Sequence, residues 1–240
     1  ESMPSHSSLH LIGLYSDGGV HSHRDHLHLL LENLHTQLQQ VRKQVRIILH
    51  VVTDGRDVGP NTAFNQVKEL ETFIQQFPEV TIGSVAGRFY AMDRDKRWER
   101  TKEAYDAIVS ATNKKKEVPS SYIAQNYEQK VTDEFLPPAS FGDYEGVQGQ
   151  DRVLFWNFRE DRMRQIVRAL CVTDFDGFPR SSLPFTADRT LGFTEYDHTF
   201  HLPYLFDQLD LSNHLGEVLS RKGIRQLRLA ETEKYAHVTY

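Results

Sequence analysis

The run Arg46-Ile47-Ile48-Leu49-His50-Val51-Val52-Thr53-Asp54-Gly55-Arg56-Asp57 reads as a buried strand that ends in a polar turn. Its β-branched residues favour extended backbone, and glycine permits the tight turn that follows. The same grammar recurs on both sides. Leu9 to Tyr15 is an apolar run followed by the polar turn Ser16 to His23; Val80 to Ala86 leads into Gly87 to Arg100; Asp151 to Asn157 leads into Arg159-Glu160-Asp161-Arg162. Helical stripes lie between these runs. Leu27, Leu30, Leu31, Leu34, Leu38 and Val41 recur at helical spacing, as do Phe64, Val67, Leu70, Ile74 and Phe77. Further helices are expected over Lys96 to Ser110, with Trp98, Tyr105 and Ile108 inward, and over Asp161 to Leu170. Asn61 or Thr62 is the expected N-cap of the second helix. This rhythm predicts an α/β fold, a three-layer α/β/α sandwich around a mostly parallel sheet.

The remaining chain is less regular. Lys114-Lys115-Lys116 reads as a solvated loop, and Pro137-Pro138 breaks any regular element within 111–150. After the loop-like 172–190 the pattern restarts, with a strand at Leu191 to Tyr196, a helix near Leu209 to Lys222 and a strand at Ile224 to Leu229. A boundary is therefore expected near 188–192. It divides the chain into 1–190 and a tail, 191–240, too short for an independent core.

Composition excludes several classes. The 240 residues carry a net charge of −5, so no global basic field is present to attract nucleic acid or an anionic membrane. The single cysteine, Cys171, rules out an internal disulfide framework and fits a reducing compartment. No apolar run approaches the ~20 residues of a membrane span, and no signal peptide is read in Glu1-Ser2-Met3. A cytoplasmic location is the expectation.

Open α/β sheets bind ligands beyond the carboxyl ends of their strands. Arginines gathered there predict a small, multiply anionic substrate, because guanidinium forks match carboxylate and phosphate bidentately. Each motif also has a plainer reading. Arg56 and Asp57 on their own favour a turn with an exposed ion pair over a proton-handling carboxylate beside a guanidinium. Arg88 and Arg94 bracket an aromatic loop and point to a ligand, whereas Lys96, Arg97 and Arg100 read as a charged helix start paired with nearby acids. Arg159 and Arg162 share a face if a helix starts there, near a terminus that favours anions; pairing with Glu160 and Asp161 is the equal alternative. His21, His23, His26 and His28 cluster without the cysteine or carboxylate partners of a metal site. His26 and His28 are expected on a polar helix face, and His21 as a hydrogen-bond donor to a substrate oxygen. Neither GxxxxGK[ST] nor GxGxxG occurs, so nucleotide binding is unsupported. Lys234, in an acidic context, reads as a surface residue.

Taken together, Ser16 to His23, Asp54 to Asp57, Gly87 to Arg100, Val131 to Phe135, Asn157 to Arg162 and Ala230 to Val238 resemble the cofactor-independent (2,3-bisphosphoglycerate-independent) phosphoglycerate mutases. The resemblance implies a phosphotransferase, substrate-binding domain at 1–190. This would be inserted into an alkaline-phosphatase-like α/β domain, re-entered at 191–240, with hinges just before residue 8 and near 188–192. It implies interconversion of 3-phosphoglycerate and 2-phosphoglycerate through a phosphoserine activated by two divalent ions, commonly manganese, in a monomeric parent enzyme. It carries over Asp57 as the general acid/base; His21, Arg56, Arg88 and Arg94 as ligands of the glycerate; and Arg159 and Arg162 as phosphate ligands, with Lys234 assisting. The serine segment and most metal ligands are expected outside 1–240, so this chain alone is expected to hold substrate without turning it over. The alternative is a stand-alone binding module for anionic phosphorylated metabolites.

Overall fold

The computed structural model describes residues 7–42, 44–207, 211–234 and 238. By contacts the chain forms two compact units, 1–207 and 208–240. The first is built on a six-stranded sheet of order β4-β3-β2-β1-β5-β6. Its strands are β1 (Ser8–Leu14), β2 (Arg46–Thr53), β3 (Val80–Gly87), β4 (Ala139–Ser140), β5 (Arg152–Phe155) and β6 (Thr190–Gly192). Only β4 runs antiparallel; every other pairing is parallel.

Parallel strands are buried on both faces, so alternate residues feed two separate cores. Leu11, Ile47, Leu49 and Val51 pack against Leu27 and Leu31 of α1 (Arg24–Val41), Val67 and Leu70 of α2 (Ala63–Ile74), and Tyr122 and Ile123 of α5 (Pro119–Glu128). Ile12, Leu14, Val52 and Phe155 pack on the other side. There they meet Ala104, Tyr105 and Ile108 of α4 (Trp98–Val109) and Ile166, Val167 and Leu170 of α6 (Arg164–Cys171). The short α3 (Arg88–Ala91) follows β3 directly. The expected three-layer sandwich is the observed one. A bulge in β3 places one extra residue, Gly83, opposite the Leu49/His50 step and re-phases the strand's faces.

Several elements differ from the sequence expectation. Helix α5 forms in the stretch read as irregular, started by Pro119 at its first position. Thr62 caps α2 without its own side chain; the Asp133 carboxylate accepts from the Thr62 and Ala63 amides instead, at 2.7 and 2.9 Å. His28 is not on a polar face. It stacks on Phe73 with ring centroids 4.1 Å apart, and its Nε2 meets the Tyr15 hydroxyl at 2.8 Å. The run expected to open the tail pairs at Thr190–Gly192 with β5 on the edge of the same sheet, and the first unit continues to Asp207.

In the second unit, α7 (Leu215–Arg221) realises the expected helix in part; Leu209 and Asp210 lie outside the described residues. Ile224 to Leu229 is not a strand. No described edge takes up its backbone groups, and Leu227 and Leu229 stand exposed. Among the described residues, no helix is long and apolar enough to cross a membrane.

Candidate functional site

The loops after β1, β2, β3 and β5 converge at the carboxyl edge of the sheet. Asp54, the first residue after β2, organises them. It is 2% exposed and accepts four hydrogen bonds. Its Oδ1 takes the amides of Arg56 and Asp57 at 3.2 and 3.0 Å and the Arg88 Nη1 at 2.7 Å. Its Oδ2 takes the Ser16 hydroxyl at 2.6 Å. Burial alone would raise this carboxyl, but the Asp57 amide, Ser16 and Arg88 outweigh it and hold the group below the ordinary range.

Arg88 is equally buried. Its Nη1 also donates to Asp57 Oδ2 at 2.5 Å, and its Nη2 donates to His21 Nε2 at 3.2 Å. Among the described residues the contacts of Asp57 fall on Oδ2, and the side chain is 22% exposed. Because His21 Nε2 accepts from Arg88, its proton sits on Nδ1, which faces Asp161 Oδ1 at 3.5 Å. Burial, with Arg88 adding to it, pushes His21 down to about 4, so the ring is neutral near pH 7.

Asp161 gathers the other arginines. Its Oδ2 accepts from Arg94 Nη1 at 2.8 Å and Arg159 Nη2 at 3.2 Å, and Arg159 Nε lies 3.1 Å from Oδ1. Burial opposes the Asp161 charge, while Arg159, His21 and Arg94 together hold its carboxyl below the ordinary range. Arg162 donates to the Met92 carbonyl at 3.2 Å. Its burial, and repulsion from Arg94, Arg88 and Arg56, lower its proton affinity. Arg56, half exposed, reaches Glu134 Oε1 at 3.3 Å.

The turn carrying Glu134 is pressed against two glycines. Gly55 has φ +70°, and a Cβ there would lie 2.7 Å from the Glu134 amide; one at Gly87 would lie 2.3 Å from the Glu134 carbonyl oxygen. Glycine is required at both positions for the loops to meet.

Thus His21, Arg56, Asp57, Arg88, Arg94, Arg159 and Arg162 are brought together. Lys234 belongs to the second unit, is exposed, and pairs with Glu231 at 2.9 Å; Tyr235 to His237 of its motif lie outside the described residues. The expected shared helix face of Arg159 and Arg162 is not formed. Residues 161–163 are a turn and α6 starts at Arg164, so a loop aims both guanidinium groups. The plainer reading holds for Arg97 and Arg100, which pair with Asp93 and, for Arg97, Asp95. Sequence reasoning passed over Asp54 and Ser16 and took Asp161 only as a local partner of Arg159. A buried carboxylate at a strand end, followed by glycine, was the available signal.

A sequence model of the family described as "BPG-independent PGAM N-terminus" matches residues 1–198. The chain belongs to the 2,3-bisphosphoglycerate-independent phosphoglycerate mutase family. It is 45% identical to the mutase of that name from Lawsonia intracellularis, over 98% of this chain and 45% of the relative. It is 44% identical to 2,3-bisphosphoglycerate-independent phosphoglycerate mutase 1 of Methanosarcina acetivorans, again over 98% and 45%. The phosphoglycerate mutase of Leishmania mexicana, solved at low cobalt concentration, superposes with a TM-score of 0.83 at 31% identity; the match covers 99% of this chain and 45% of that one. The chain therefore spans less than half the length of these mutases. Among the described residues, no group of three or more His, Cys, Asp or Glu is arranged to hold a metal ion. The donors among the described residues do not fit a two-metal centre.

Proposed function

We propose that this chain is the substrate-holding part of a phosphoglycerate mutase, an isomerase that interconverts 3-phosphoglycerate and 2-phosphoglycerate through a phosphoserine without 2,3-bisphosphoglycerate. The observation that carries this reading is the convergence of five guanidinium groups on the loops that hold Asp57 and Asp161, with Arg162 half-buried among like charges. A multiply charged anion would relieve that repulsion. Asp57 would take the proton from a glycerate hydroxyl and return it, Oδ2 being anchored by Arg88 and Oδ1 facing the ligand. His21, Arg56, Arg88 and Arg94 would orient the glycerate carboxylate and hydroxyl groups. Arg159 and Arg162 would hold the phosphate, assisted by Lys234.

Phosphoryl transfer depends mainly on positioning and charge neutralisation, and these residues supply both. Two divalent ions, manganese in this reading, would activate the serine from ligands outside this chain. The first unit, through Asp207, would be the substrate-binding domain and 208–240 part of a neighbouring phosphatase-like domain, in a cytoplasmic, monomeric parent enzyme. On this reading the isolated chain binds substrate and does not convert it.

Calorimetric titration of the chain with 3-phosphoglycerate at low salt tests this. Saturable binding that Arg162→Ala abolishes is the expected result. Turnover by the pure chain, or no binding by the folded chain, would overturn it.

A further inference from the structure

Three donors assigned above to the substrate are held by one carboxylate. Asp161 receives Arg94 Nη1 at 2.8 Å and Arg159 Nη2 at 3.2 Å on Oδ2, while its Oδ1 faces His21 Nδ1 at 3.5 Å. The arrangement is stretched on the Oδ1 side. Oδ1 keeps the Arg159 Nε ion pair at 3.1 Å, yet neither it nor the buried His21 Nδ1 makes a well-formed hydrogen bond, and a buried polar pair left in that state is costly. His21 has no second donor to offer, because Nε2 accepts from Arg88. An anion that hydrogen-bonds to His21 must therefore take the place of Asp161 at Nδ1–H.

We propose that the Asp161 carboxylate is a built-in stand-in for the anionic group of the substrate. It keeps His21, Arg94 and Arg159 converged while the site is empty and gives them up when a phosphorylated acid enters. This deepens the proposed function and rests on reading the cluster as an anion site. The residue would also set specificity. A ligand must repay the loss of the Asp161 contacts, which a dianionic phosphate ester can do and a simple monocarboxylate such as glycerate cannot.

The test is calorimetric titration of the full chain with 3-phosphoglycerate and with inorganic phosphate, for wild type, Asp161→Asn and Glu160→Gln. Removing the resident charge while keeping the side chain's shape should tighten both ligands on the order of tenfold. Glu160→Gln removes a neighbouring charge that pairs with Arg164 at 3.6 Å and should leave affinity nearly unchanged. Wild-type binding that weakens or stays the same in Asp161→Asn would overturn the stand-in alone, as would equal tightening by Glu160→Gln. Absence of binding by both wild type and Asp161→Asn would overturn the anion site itself and the stand-in with it. Nitrogen-15 imidazole spectra of the wild type give a second readout that does not depend on a variant folding. His21 should carry its proton on Nδ1, and that resonance should move at saturating 3-phosphoglycerate. An unmoved resonance at saturation would refute displacement.

Discussion

Asp54→Ala is the most informative single change, because one buried carboxylate serves four donors from three loops. Its removal leaves the Ser16 hydroxyl and the Arg56 and Asp57 amides without their acceptor. Arg88 keeps one carboxylate, Asp57, at 2.5 Å, so its charge is only partly uncompensated. Breaking a buried pair by removing one partner costs about 3–5 kcal/mol, and each orphaned buried donor about 1–3 kcal/mol. With Asp57 retained and the Arg56 and Asp57 amides partly reached by water, the lower end of the pair cost, about 3 kcal/mol, is the expected loss. For a unit of this size that corresponds to a fall in Tm of about 6–12 °C. Asp57 loses the contact that fixes its backbone, so 3-phosphoglycerate binding should fall too. Thermal unfolding by circular dichroism, paired with calorimetric titration, measures both. A Tm within about 2 °C of wild type would refute the argument that Asp54 organises the site.

Other outcomes follow from the same geometry. Gly55→Ala forces a Cβ to within 2.7 Å of the Glu134 amide at φ +70°, and should cost about 1–3 kcal/mol in urea unfolding. The His21 ring is depressed to about 4 when folded and lies at 6.5 when free, so the unfolded chain binds the proton first. Stability should therefore be complete above about pH 6.5 and fall as pH drops toward about 4. His21→Gln should flatten that slope in urea midpoints compared at about pH 7 and pH 5, and an unchanged slope would contradict the assignment. Burial raises the Cys171 thiol to about 12, so a thiol-specific chromogenic reagent should leave the native chain unlabelled and modify it in denaturant.

The central strands were legible because β1, β2, β3 and β5 are apolar runs that no surface segment would carry. The two-residue β4, which follows Pro137-Pro138, offers too little pattern to read. Helix α5 was missed because its buried stripe is short and interrupted by polar residues; Ser120 and Asn126 lie inside with Tyr122 and Ile123. At Ile224 to Leu229 the sequence predicts a strand, but pairing depends on an edge that the local sequence does not encode. In the site, the arginines were legible as charges at strand ends. Their partners were not, because Arg94 meets Asp161 across 67 positions and Arg88 meets Asp54 across 34. The same limit hid a buried chain from Ser84 through His50 and His10 to Asp151, whose links of 2.8, 2.8 and 3.0 Å cross four neighbouring segments.

The strand order has a consequence for the chain during its synthesis. β1 sits in the middle of the finished sheet, flanked by β2 and by β5, which begins only at Arg152. While the ribosome makes the intervening segment, at about 5–20 residues per second, one side of β1 has no strand to pair with for on the order of ten seconds. That exposed ladder of amides and carbonyls, flanked by Leu11, Ile12 and Leu14, is a template for pairing with another nascent chain. The open side of β1 should therefore need chaperone cover until residues 152–155 emerge; the outer edge of β5 then waits for β6 at Thr190–Gly192, and the arginine loop reaches its partners only once residues 159–162 have followed.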